Sequence, residues 1–357
     1  YETIAQHLLP NTAVLKTEEA LLSEYQEYKT ALYILHTGSA DLGIVDENQL
    51  GTTTIEDLNL LYNPQQPSFT ILNRLARTET TLGTCYLAKK LITPQTDIKT
   101  LERDQAITRT LIENAPLRTS LDNALKRFRK QEQTILTLWN PEDLLYGTHI
   151  SETFYDRDLS KSTSKTVLEA SNKIRDAMSI TSPLFTFLAM EFAGNMALPS
   201  ATAIGWRKKV KTIVGILIKL LSTYGIYNSI SELVTTTKNR RMLLAKMRDR
   251  FRSLRVLHDT LVYLTSWSQQ HRSFVRLMPA LTQIIAFTQQ RHSTMNRFLR
   301  SLASKAFNQG DQYWRIGAVG PVLAALPQFI ALKDRFCPVL HTIAELDAYL
   351  SIAKLYL

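Results

Sequence analysis

The chain is 357 residues long, 45% hydrophobic, with 12 Gly, 12 Pro, two Cys and a net charge of +10. This length holds a substantial core and two or three units, and the two cysteines, Cys85 and Cys337, form no spaced set, which argues against a disulfide framework and for a reducing compartment. Low Gly and Pro, scarce strand-like alternation and abundant Leu, Ala, Lys, Arg, Gln and Glu predict an all-α fold.

Residues 1–65 read as helices broken by loops, with a helix over 18–36, a glycine-containing connection over 37–54 and a short apolar turn or helix over 55–62. A two-proline loop, 63–68, leads into residues 69–75. Gly83 then starts a helix with Tyr86, Leu87, Leu91 and Ile92 on one stripe. Pro94 ends it, because the residue before a proline is pushed out of the α region. Asp97 caps a second helix over 98–114, offering an acceptor to N–H groups that lack partners. Pro116 punctuates, and 120–138 forms a third helix. The polar stretch 140–164 is the clearest boundary.

Beyond it lie two apolar stretches, 180–199 and 210–230, separated by Trp206, Arg207, Lys208 and Lys209. Two long amphipathic helices are expected next. The first covers about 238–269, with Leu243, Met247, Phe251, Leu254, Leu257, Leu261 and Leu264 as its apolar stripe. The second covers about 274–307, through Leu277, Leu281, Ile284, Ile285, Met295, Phe298, Leu299 and Leu302. An apolar run, 316–332, carries Pro321 and Pro327 and leads to a last helix over 341–357.

Charge is unevenly spread. Residues 206–305 hold 19 Lys and Arg against three acids, Glu232, Asp249 and Asp259, which leaves the rest of the chain net acidic. Such a field attracts phosphate, on nucleic acid or on an anionic membrane; a solvated helix surface with no ligand is the competing account. Arg241, Arg248, Arg252 and Arg255 fall on one helical face, with Lys246 and Arg250 to the side. Arginine forks hold phosphate oxygens bidentately and can track a backbone without reading bases. No aromatic residues interleave with them, so duplex or membrane phosphate is favoured over single strands.

The apolar stretches raise a membrane alternative. Lys219 sits at the centre of 210–230, where it costs about 2.5–3.5 kcal/mol against roughly 0.3–0.6 returned by each Leu, Ile or Val. Glu191 interrupts 180–199, and 316–332 is at the short limit for a span. Buried core helices explain all three at lower cost, and a membrane-dipping hairpin over about 180–230 is the alternative. Enzyme signatures are missing from the sequence. It has no P-loop, no His-Glu-x-x-His and no Gly-x-Ser-x-Gly, and no catalytic or metal-binding residues are expected. His258 and Asp259 are adjacent, so their side chains are expected to point apart.

The segment 80–106, with Thr80, Gly83, Leu87, Pro94, Asp97 and Arg103 in that order, resembles the opening of the helical core of MutS-type mismatch-repair ATPases. A second segment, Ile343-Ala344-Glu345-Leu346-Asp347, resembles the helix that immediately precedes the ATPase domain in that family. The two lie about 240 residues apart, in the family's order, with long helices between. The departures are Thr84-Cys85-Tyr86 after the Gly, a middle region similar only in being long helices, and no Phe-x-Glu mismatch-reading motif.

The resemblance implies a MutS-core-like helical bundle with a long inserted antiparallel helical arm. Residues 1–65 would be a connector, 66–140 with 312–357 the core, and 141–311 the basic arm. It implies a non-catalytic lever or clamp that relays nucleotide-driven motion to a phosphate-bearing partner, duplex DNA, contacted through Arg241, Lys246, Arg248, Arg252 and Arg255. No cofactor is expected in this chain; ATP and Mg²⁺ are expected on a C-terminal ATPase domain, since the chain opens on Tyr1 and reads as part of a longer protein. Homodimerisation and a cytoplasmic location go with this reading. The alternative is a membrane-associated helical scaffold.

Overall fold

The computed structural model describes residues 18–41, 70–139, 205–289, 294–304 and 319–357, with short pieces at 50, 54–55, 58–61, 170, 173–174 and 307. Among the described residues the chain is helical and contains no strand. Three of the regions read from sequence, the two-proline loop at 63–68, the polar boundary at 140–164 and the apolar stretch 180–199, lie outside them. Contacts divide the chain into two units, one of residues 1–149, 249–308 and 325–357, the other of 150–248 and 309–324. Residues 249–308 thus group with the core, although the sequence assigns all of 141–311 to the arm.

The N-terminal part of the first unit contains α1 (Glu18–Asp41), α2 (Ile71–Leu75), α3 (Thr81–Ile92), α4 (Ile98–Glu113) and α5 (Ala115–Leu136). Helix α1 runs past His36, through Gly38, into what reads as a connection. Its glycine has a packing reason: a Cβ there would stand 2.6 Å from the Cys337 carbonyl oxygen and 2.9 Å from the His341 Cβ. The apolar turn at 58–61 accepts the backbone N–H groups of Ile71 and Leu72 on the carbonyls of Asn59 and Leu60, which seats the start of α2. Asn59 takes a left-handed φ of 50°, a conformation Asn tolerates better than most residues.

Capping follows the expected chemistry with shifted bounds. Helix α3 begins at Thr81, two residues before Gly83, because Thr80 is its N-cap. Thr93, with ψ 75°, ends it before Pro94. Asp97 caps α4, accepting from the Thr100 N–H at 2.9 Å. Asn114 ends α4 and caps α5, which therefore starts five residues earlier than expected; Pro116 sits in its first turn, where its missing N–H costs nothing.

Helix α6 (Gly205–Gln270) runs 66 residues without a break, taking in both the apolar stretch 210–230 and the basic helix 238–269. Among the described residues its buried apolar positions are Leu244, Met247, Phe251, Leu254, Leu257, Leu261, Leu264 and Trp267, so Leu244 occupies the seam in place of Leu243. The expected long partner helix over 274–307 is instead interrupted: α7 (Arg272–Leu277), α8 (Ala280–Gln289) and α9 (Thr294–Ser301). Pro279 explains the first interruption, since it pushes Met278 out of the helical region, to a ψ of 80°. Then come α10 (Gly320–Leu332), which keeps Pro327 inside it, a 3₁₀ turn (Lys333–Phe336) and α11 (Cys337–Leu355).

Helix α11 is the hub of the first unit: α1, α3, α4 and α8 all pack on it. Every residue from Val339 to Ser351 is buried. An aromatic cluster joins the other pieces. Phe251 meets Phe298, Phe307 and Phe329 edge to face at 6.2–6.4 Å, and Phe329 in turn meets Trp139 at 5.3 Å. Among the described residues no helix is long and apolar enough to cross a membrane. Truncating the cluster's centre, Phe329→Ala, is expected to cost about 3–5 kcal/mol in chemical denaturation, with the loss centred on residues 249–308 in hydrogen exchange.

Candidate functional site

The first turn of an α-helix leaves four backbone N–H groups without helical partners. In α3 all four are satisfied, and two of the acceptors are buried carboxylates. Thr80 N–H donates to Asp347 Oδ2 at 2.8 Å, and the N–H groups of Thr81 and Leu82 donate to Glu132 at 2.9 and 2.8 Å. Gly83 N–H donates to the Thr80 hydroxyl oxygen at 2.9 Å. That hydroxyl in turn donates to Asp347 Oδ2 at 2.6 Å, and Glu79 N–H donates to Oδ1 at 3.0 Å. The positive end of the helix dipole adds to each of these bonds.

Gly83 is required by closeness of approach. A Cβ on it would fall within 2.7 Å of the Asp347 Cγ and 2.8 Å of its Cβ. One face of α11 continues the joint at helical spacing. Ser351 accepts from Arg77 N–H at 2.6 Å and donates to the Leu75 carbonyl at 3.0 Å, and Lys354 bridges Glu79 and Asp122 at 2.7 and 2.5 Å. On the α5 side, Arg129 ties Glu132 at 2.8 Å to Thr81 at 2.6 Å and Glu27 at 3.3 Å.

The opposite face of α11 carries Glu345 and Tyr349. Tyr349 donates to Asp104 at 2.6 Å; Asp104 also holds Lys90 at 2.7 Å and Arg103 at 3.2 Å. Beside them opens a cleft of about 510 Å³, lined by Tyr86, Lys89, Lys90, Arg103 and Glu345 and closed by residues 278–283. Among the described residues, no three His, Cys, Asp or Glu side chains gather as metal ligands.

Thus Thr80, Gly83 and Asp347 meet in one joint, Arg103 and Glu345 share the cleft, and Leu87 and Leu346 are buried beside them. Pro94 and Asp97 stay at the surface as stop and cap. The arginine face comes out differently. Arg248 is only 5% exposed, because it falls beside Leu244, Met247 and Phe251 on the apolar side of α6. Arg252 is half-exposed and donates to the Phe307 carbonyl at 2.9 Å. Lys246 is exposed, and Arg241 and Arg255 are intermediate. His258 and Asp259 do not point apart, as their adjacency suggested: Nδ1 lies 3.6 Å from Oδ1, on an exposed aspartate.

Burial pushes the Asp347 carboxyl up to about 6, against the pull of its Thr80 and Glu79 donors and of Lys354. It pushes Glu132 up to about 7, against the Leu82 and Thr81 N–H groups and Arg129. Both folded values exceed the ordinary 3.8 and 4.5, so the native state holds these protons longer than the unfolded chain does. Their stabilising share is complete at acid pH and is lost as pH rises through about 6 and then about 7.

Denaturation is therefore expected to show greater stability at pH 5 than at pH 8, with a decline on the order of 1 kcal/mol from Asp347 and about 3 kcal/mol from Glu132, and Glu132→Gln is expected to remove the part of the decline above pH 6. Gly83→Ala is expected to cost at least about 2 kcal/mol by overpacking the carboxyl. In a double-mutant cycle with Asp347→Ala that cost should be clearly less than additive. Comparison of the chain with family models, with curated proteins and with solved structures gives no match.

Proposed function

We propose that this chain is the lever or clamp core of a divergent MutS-like ATPase, a non-catalytic part that relays nucleotide-driven motion to bound duplex DNA. The observation that carries this reading is the joint itself. The two segments that resemble the family's core bond to one another through Thr80 and Asp347, residues 267 positions apart. Residues that merely shared a common helical pattern would have no reason to meet at a buried carboxylate.

A relay needs rigid parts, and two features support one. The start of α3 is bonded to α11 through Thr80 and to α5 through Thr81 and Leu82, which couples the three helices at one point. The 66-residue α6 is a single uninterrupted helix, and it carries the basic residues of the arm. On it, Lys246, Arg241 and Arg255 are the phosphate contacts of this proposal. Arg248, being buried, serves packing instead.

Fluorescence anisotropy with a labelled duplex tests the reading. Affinity is expected to fall linearly with the logarithm of salt, and the triple variant Arg241→Glu, Lys246→Glu, Arg255→Glu should weaken binding about tenfold or more and flatten the salt slope. Absence of duplex affinity, with partition into anionic vesicles instead, would replace this reading with a membrane-associated scaffold.

A further inference from the structure

The cleft beside the joint is not used by the duplex reading. Its volume, about 510 Å³, lies within the usual range for small-molecule sites, roughly 300–1,000 Å³. Its cations come from two helices: Lys89 and Lys90 from the last turns of α3, Arg103 from α4. Asp104 partly neutralises this group, holding Lys90 and one terminal nitrogen of Arg103. A second nitrogen of the guanidinium has no acceptor: Arg103 Nε is buried, and no group among the described residues accepts a hydrogen bond from it.

A buried N–H of a charged fork calls for an oxygen acceptor, and phosphate matches the fork's spacing with two oxygens at once. The one carboxyl in the wall, Glu345, is 7% exposed, and burial pushes it up from its usual range. Met278 and Pro279 supply apolar lining to the same cleft, a lip from the segment between α7 and α8, and Gln283 lines it too. We propose that this cleft binds a phosphate monoester, with the phosphate on Arg103, Lys89 and Lys90 and the organic body against the 278–283 lip. Because that lip joins α7 to α8 and the opposite wall belongs to α3, α4 and α11, the ligand would fasten the interrupted segment to the hub.

Isothermal titration of the full chain with inorganic phosphate and with adenosine 5′-monophosphate, in a phosphate-free buffer, tests this. One site per chain is expected, with the monoester bound more tightly than phosphate alone. Arg103→Gln should weaken the monoester at least tenfold. Gln283→Glu, an isosteric change on the lip that touches none of the ion pairs, should weaken it severalfold, and Glu345→Gln should leave it unchanged or tighter. The triple duplex-binding variant should bind the monoester as well as the parent chain does, which separates this site from the duplex reading. Millimolar probe without saturable binding overturns the proposal, and so does monoester binding that Gln283→Glu and a folded Arg103→Gln variant leave intact.

Discussion

The first unit depends on one buried carboxyl group. Asp347 accepts three hydrogen bonds from the 79–80 segment, and in doing so it fixes where α3 begins and how closely that helix lies against α11. Burying such a group is unfavourable unless its acceptor capacity is filled. The positive end of a helix, presented edge-on by two residues, fills it. A glycine three residues into the motif allows the contact, because any side chain at position 83 would occupy the space of the carboxyl. Cap, glycine and aspartate are thus one device spread over two distant pieces of sequence.

Helix α11 shows what such a device makes practicable. A helix covered on every side should be apolar throughout. This one buries His341, Thr342, Glu345, Asp347 and Ser351, and partners cover both of its faces. Asp347 and Ser351 secure the extended stretch before α3, and Tyr349 reaches across to Asp104 on α4. Because Asp347, Tyr349 and Ser351 each bond to a neighbouring segment in one geometry, the helix can neither rotate nor slide by a turn without orphaning several groups at once. The apolar contacts around it supply cohesion, and the polar ones supply register.

Much of this was legible from residue order alone. The helix stop at Pro94, the cap at Asp97 and the apolar stripe of α6 follow from local chemistry, which acts over one or two turns. Where local signals conflicted, the structure resolved them by tertiary packing. Gly38 looked like a loop residue, and it lies inside a helix because α11 passes so close to it. Arg248 looked like part of a basic face, and it lies inward because that position is one turn from Leu244 and Phe251. Glu132 was missed altogether. Its signal was available, a lone charge among Leu121, Leu125, Phe128 and Ile135 at core spacing in α5. A charge at a core position announces a buried partner, but only the fold says that the partner is the amino end of another helix. The cleft was invisible for the same reason, since Arg103, Glu345 and the 278–283 segment come together only in three dimensions.

The separation of Thr80 from Asp347 by 267 residues also has a temporal meaning. Contacts so distant in sequence are slow to form, since a long stretch of chain must be closed before they bring any stabilisation. Until α11 has been synthesised, α1, α3 and α4 have no common helix to gather around, and the amino end of α3 lacks one of its two carboxylates. The core is therefore assembled around a member that arrives well after its neighbours. The early helices have to wait, with their apolar faces uncovered, for a centre that does not yet exist, and during that interval they are suited to chaperone capture or to accepting the same helix from a second chain.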